Sequence, residues 1–135
     1  VTMAKSWEKY GIHALETVYP IVGPGFESIQ NIGDKNRNIV HLHHSKGIDI
    51  NIANISDMLG GFGLISLMGT KGGIQIKSTD TYYAFKKQLQ SYVNYLLTGH
   101  KPVPWNETYE LMQLVSAGIE SREKGGIKIT LNEDK

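Results

Sequence analysis

The sequence predicts an α+β fold, and three observations carry that expectation. Ile48, Ile50 and Ile52 alternate with Asp49, Asn51 and Ala53 beside a second strand-like run, Asn38 to His44, as in a β-hairpin with one apolar face. Apolar side chains spaced three and four apart mark helices near the start and in the second half of the chain. At 135 residues, 40% apolar and 20% charged, the chain (residues 1–135) has material for one folded domain and one core. The formal charge of +1 gives no electrostatic reason to expect nucleic acid or an anionic membrane as partner. No apolar run approaches the length of a bilayer span. The absence of cysteine excludes disulfides and thiolate metal sites. Without an initiator Met or a leader-like segment, the start reads as that of a piece cut from a longer protein.

Taken in order, the first helix is expected from about Thr2 or Lys5 to Tyr19. Trp7, Tyr10, Leu15, Val18 and Tyr19 form its apolar stripe. Gly11 within it costs about 1 kcal/mol against Ala, which suggests close approach by a ligand or a neighbouring backbone. Pro20 and Gly23-Pro24-Gly25 should end the helix. Phe26 to Ile32 reads as a strand closed by the polar turn Gly33-Asp34-Lys35-Asn36. The hairpin follows, with Ser45-Lys46-Gly47 as its connection and Gly47 available for a positive φ. Ser56 to Gly61 is a loop.

Phe62 to Met68 is apolar on both faces apart from Ser66, and Gly69-Thr70-Lys71-Gly72-Gly73 turns it back into Ile74 to Lys77. One layer of helices covers only one face of a sheet, so another subunit or a missing domain is expected on the other. Thr79-Asp80-Thr81 starts a second helix, with Phe85, Leu89, Tyr92, Val93 and Leu96 on its stripe and Gly99 as C-terminal cap. After Pro102 and Pro104, Asn106 caps a third helix that buries Leu111, Met112, Leu114, Val115 and Ile119. Gly125-Gly126 stops it. Ile127, Ile129 and Leu131 mark a last strand, and Asn132 to Lys135 a solvated tail. Trp105 and the tyrosines of the late helices read as core or interface aromatics.

Lys9, His13 and Glu16, four and three apart, share one face of the first helix. A base, an imidazole and a carboxylate together have the capacity for proton transfer near neutral pH. His41 and His43 would share a strand face while His44 points away, but no acid in that strand completes a metal set; hairpin or interface packing is the simpler account. Neither Gly60-Gly61-Phe62-Gly63 nor Gly69-Thr70-Lys71-Gly72-Gly73 has the spacing of a phosphate-binding loop ahead of a helix, so both read as turns.

Gly11-Ile12-His13-Ala14-Leu15-Glu16 resembles the G-x-H-x-x-D segment in the C-terminal domain of the glucose–fructose oxidoreductase/inositol dehydrogenase (Gfo/Idh/MocA) family. Phe85, Leu89 and Val93 with Thr98-Gly99-His100-Lys101-Pro102 are similar to that family's F-x-x-x-L-x-x-F-v and t-G-x-x-P stretch. Glu107-Thr108 through Ala117-Gly118-Ile119-Glu120-Ser121 and Gly125-Gly126 resemble its closing helix and strand. The resemblance spans nearly the whole chain, in matching order.

It implies an open, mostly antiparallel sheet with helices on one face, the other face making homo-oligomer contacts. An N-terminal Rossmann domain holding NAD or NADP would belong to the parent protein and is absent from this chain, which holds no cofactor itself. The substrate, a sugar, polyol or related hydroxy compound, would lie between the domains. His13 would be the catalytic residue, with Lys9, His13 and Glu16 on the substrate. The family often has an acid where this chain has Lys9, and Asp is commoner where it has Glu16. The competing reading is a stand-alone, non-catalytic α+β binding or oligomerisation module.

Overall fold

A computed structural model describes residues 1–59, 63–77 and 80–131 of the chain. Its elements run β1 (Thr2–Met3), α1 (Trp7–Val22), β2 (Phe26–Asn31), β3 (Arg37–His44), β4 (Ile48–Ile55), β5 (Leu64–Gly69), β6 (Gly72–Lys77), α2 (Thr81–Thr98), α3 (Trp105–Glu123) and β7 (Ile129–Thr130). The strands make one open sheet in the order β6-β5-β1-β4-β3-β2-β7. Among the described residues β1 pairs with β4 in parallel and the other pairs are antiparallel. This is the α+β, mostly antiparallel architecture expected, with α1 and α3 packed on one face of the sheet.

The period-two pattern sets the register of the hairpin. β3 and β4 pair without interruption from His44↔Ile48 to Arg37↔Ile55, and Gly47 takes a φ of 70° in the connection, which a side chain would resist. Val40, Leu42 and His44 of β3 and Ile50 and Ile52 of β4 are buried beneath the helices. His41, Asp49 and Asn51 lie on the opposite face. Slipping one residue would exchange the two sets, so burial locks the pairing.

Trp7 is the centre of the helix layer. Its side chain is fully buried, and its indole Nε1–H donates to the Val115 carbonyl at 3.1 Å. The ring is clasped by two glycines. A Cβ on Gly11 would come within 2.8 Å of the indole, and one on Gly118 within 2.9 Å. The close neighbour that Gly11 admits is therefore an aromatic side chain of its own helix, not a ligand or a backbone.

Several boundaries differ from expectation. Thr2 and Met3 belong to the sheet, wedged between β4 and β5, because ladder pairing outcompetes an extra helical turn there. Pro20 does not end α1. It sits exposed in the last turn, where its missing N–H costs one bond, and the Gly23 amide closes the helix on Tyr19 O at 2.7 Å. α3 begins at Trp105 with Pro104 as its extended N-cap, so Asn106 lies inside the first turn. Leu111, Leu114 and Val115 are buried as expected, but Met112 is exposed.

α2 has both expected caps: the Asp80 carboxylate accepts from Tyr83 N at 2.8 Å, and Gly99, at φ 72°, donates to Tyr95 O. None of its residues is buried, however, so its stripe has no seat among the described residues. Trp105 and the tyrosines at 82, 83, 92 and 109 are likewise exposed and not core. On β5, Ile65 and Leu67 are half-covered, while Leu64 and Met68 are exposed. The expectations for Gly60, Gly61, Phe62, Thr79 and Asn132 to Lys135 fall outside the described residues.

Candidate functional site

α1 presents its polar face to solvent because its apolar face is committed to the sheet. Ala14, Leu15, Val18 and Val22 are buried, leaving Lys9, His13 and Glu16 exposed on the other side. The structure brings two of these together. His13 Nδ1–H donates to Glu16 Oε2 at 2.8 Å, with both side chains close to half exposed. Donation through Nδ1 makes Nε2 the basic nitrogen of the neutral ring, and the carboxylate fixes the ring's orientation. Tyr10 lies against the imidazole, ring centroids 5.8 Å apart, and Lys5 Nζ stands 5.3 Å from the Tyr10 ring. An oriented imidazole can accept a proton from a bound hydroxyl. Lys9 joins this face through its place on the helix.

A second cluster lies on the sheet face away from α1 and α3. His43 Nδ1 is 2.9 Å from Asp49 Oδ1, and its Nε2 is 3.9 Å from Glu27 Oε2. His41 Nε2 is 3.5 Å from the same Asp49 oxygen, and its Nδ1 lies 3.1 Å from Asn51 Oδ1. The hydrogen bond from His43, opposed by desolvation and aided by the charges of His43, His41 and Lys128, holds the Asp49 carboxyl below the usual carboxylate range. The acids missing from the histidine strand are thus supplied by its two neighbours. Three-strand register was needed to find them. Even so, no group of His, Asp or Glu among the described residues has an arrangement able to hold a metal ion. His44 points to the other face and is fully buried, its Nε2–H donating to Pro24 O at 3.0 Å and its Nδ1 accepting from Lys46 N.

Two further polar centres tie elements together. Glu110 of α3 accepts from Tyr19 Oη at 2.8 Å and from the amides of Gly25 and Phe26 at 2.9 and 3.0 Å. Burial and this carboxylate push the Tyr19 phenol well above its ordinary range. Arg122 bridges Glu8 Oε1 at 2.7 Å and Asn38 Oδ1 at 2.8 Å. Partial burial works against ionisation of Glu8, but a backbone hydrogen bond and Arg122 together hold its carboxyl below the ordinary range. Gly69 to Gly73 form the turn of the β5–β6 hairpin, with Gly69 opposite Gly72. Among the described residues, α1, α2 and α3 follow Ser6, Asp80 and Pro104, not a glycine.

No protein-family model matches the chain, and no curated protein matches its sequence. Its structure is similar to that of a myo-inositol dehydrogenase from Corynebacterium glutamicum, with 20% identity over 97% of this chain and 54% of that one, at a TM-score of 0.74. It is similar also to a myo-inositol dehydrogenase from Lactobacillus casei, solved with NAD(H) and myo-inositol, with 15% identity over 99% of this chain and 52% of that one, at a TM-score of 0.76. A third similar structure is GenD2 from gentamicin A biosynthesis, in complex with NAD, with 15% identity over 97% and 53% of the two chains and a TM-score of 0.74. The chain spans about half the length of these solved proteins. Its fold is that of the corresponding portion of these proteins.

Proposed function

We propose that the chain is the C-terminal, substrate-facing domain of a Gfo/Idh/MocA-type NAD(P)-dependent oxidoreductase acting on a sugar, polyol or related hydroxy compound. The observation that carries this reading is the fold match: almost all of this chain corresponds to half of proteins whose structures hold NAD or NAD(H). Fold alone does not specify chemistry; the α1 face adds residues able to perform it. His13 takes or returns the substrate hydroxyl proton, Glu16 holds the imidazole through Nδ1, and Lys9 binds an oxygen or an anionic group of the substrate. The described residues offer no strand, glycine loop and helix start in the order a pyrophosphate requires. In this reading a Rossmann half outside this chain holds the dinucleotide, whose nicotinamide supplies the hydride chemistry. The sheet face carrying His41, His43 and Asp49 is the homo-oligomer contact.

The test is made on the protein as its gene encodes it, by following nicotinamide absorbance with a panel of polyols and sugars. With a substrate in hand, His13→Ala should lower turnover by about 10²–10⁴-fold, the usual worth of a general acid–base group. Its thermal midpoint should stay unchanged, because the side chain is half exposed. Unaltered turnover would remove His13 from the chemistry. A gene product with no dinucleotide-binding half would favour the non-catalytic module.

A further inference from the structure

The acidic and basic side chains of α1 are Glu8, Lys9, His13 and Glu16. All but one are engaged within the fold. Glu8 pairs with Arg122 at 2.7 Å, and Glu16 Oε2 holds His13 Nδ1 at 2.8 Å. Lys9 is exposed and has no acid partner among the described residues. Glu107 and Glu110 of α3 act on Tyr19, toward the far end of the helix, and Lys35 adds a positive charge beside Glu8. A second ammonium comes near by another route. Lys5 Nζ stands 5.3 Å from the centre of the Tyr10 ring, drawn to its π-face, and that ring lies 5.8 Å from the imidazole. With His13 neutral, Lys5 and Lys9 set against Glu16 leave this face with positive charge in excess.

Helix geometry fixes the distance between the two working groups. A rise of 1.5 Å per residue places Lys9 about 6 Å along the axis from His13, on the same face. A small hydroxy compound that offers one hydroxyl to His13 therefore reaches Lys9 with another of its groups. A hydroxyl there gains an ordinary hydrogen bond from the ammonium. A carboxylate or phosphate gains a charge-assisted one, roughly twice as strong, and cancels the excess charge.

We propose that the substrate of this site is an acidic hydroxy compound, a sugar or polyol bearing a carboxylate or phosphate, and that Lys9 is the residue that selects it. This rests on the reading under Proposed function and narrows its substrate class. Lys9 binds the anionic group while His13 handles the hydroxyl proton, and Lys5 adds an attraction that salt screens.

The full gene product is assayed by nicotinamide absorbance on matched sets: a sugar, the acid made by oxidising its terminal carbon, and its terminal phosphate ester. The two anionic members separate carboxylate from phosphate. One of them should exceed the neutral member in kcat/KM by about tenfold or more, chiefly through KM, as expected of a hydrogen bond to a charged group. The margin should shrink as salt is raised from about 0.01 to 1 M. Lys9→Gln should bring the ratio toward one and Lys9→Asp should invert it, whereas Lys71→Gln, in the exposed turn between β5 and β6, should leave the ratio as it was. Calorimetric titration of the same compounds into the NAD-loaded protein should give the same order of affinities, and it decides the matter if none of them is turned over. A neutral member preferred over both anions, or a ratio that Lys9→Gln leaves unmoved, overturns the assignment while the oxidoreductase reading stands. A gene product that binds no NAD sinks that reading, and this one with it.

Discussion

At the scale of single residues, the fold depends on space as much as on contact. Trp7 fills a slot whose walls are the bare backbones of Gly11 and Gly118. Gly118→Ala would set a methyl 2.9 Å from the indole, so either the ring or α3 must move. Overpacking of this kind costs about 1–3 kcal/mol, more than the roughly 1 kcal/mol that Ala gains over Gly in a helix. The expected outcome is a lower denaturation midpoint by urea or heat, partly restored by Trp7→Phe in the same chain. Additive effects of the two substitutions would contradict the clasp. The sequence shows a costly glycine in a helix but not its neighbour: Gly118 is 107 positions from Gly11 along the chain, and only the packing of α1 on α3 brings both to one ring.

At the scale of elements, the β3–β4 hairpin was legible because its signal is local. Alternation over eight residues and a Gly at the connection specify partner, register and buried face together. Its polar face was legible only in part. His41 and His43 could be placed on one side, yet Asp49 and Glu27 come from the adjoining strands, and pairing must be known before they can be assigned. That cluster carries a pH dependence. The Asp49 carboxyl titrates below its ordinary value in the folded chain, so its contribution to stability is present above the ordinary carboxylate pKa of about 4 and is lost as pH falls through the folded value. His43→Gln should move the Asp49 titration back up toward the ordinary range, as read by carboxyl carbon chemical shifts between pH 2 and 6, about the span in which carboxylates titrate. An unmoved titration would mean that His43 is not the cause.

At the scale of the whole molecule, stability is divided unevenly. α1, α3 and strands β2 to β4 share the buried core, whereas α2 and β6 bury no residue. In the isolated chain, amides of α2 and of the β5–β6 hairpin should exchange with deuterium well before those of α1, α3 and β3, through local opening. Uniform protection would show that α2 is covered in the chain by itself. Here sequence reasoning reached its limit for a physical reason. The spacing of Phe85, Leu89 and Val93 reports that a helix has an apolar side, but the identity of what meets that side is not a property of the helix.

The two residues of β1 hold a position out of proportion to their length. Thr2 pairs with Ala53 and with Leu64, Met3 pairs with Asn54, and the Ala53 amide donates to Val1 O at 2.8 Å. They join the β5–β6 hairpin to the remainder of the sheet and cap the outer side of β4. Without them Ala53 and Asn54 of β4 would lose their outer partners, and the β5–β6 hairpin its link to the rest of the sheet.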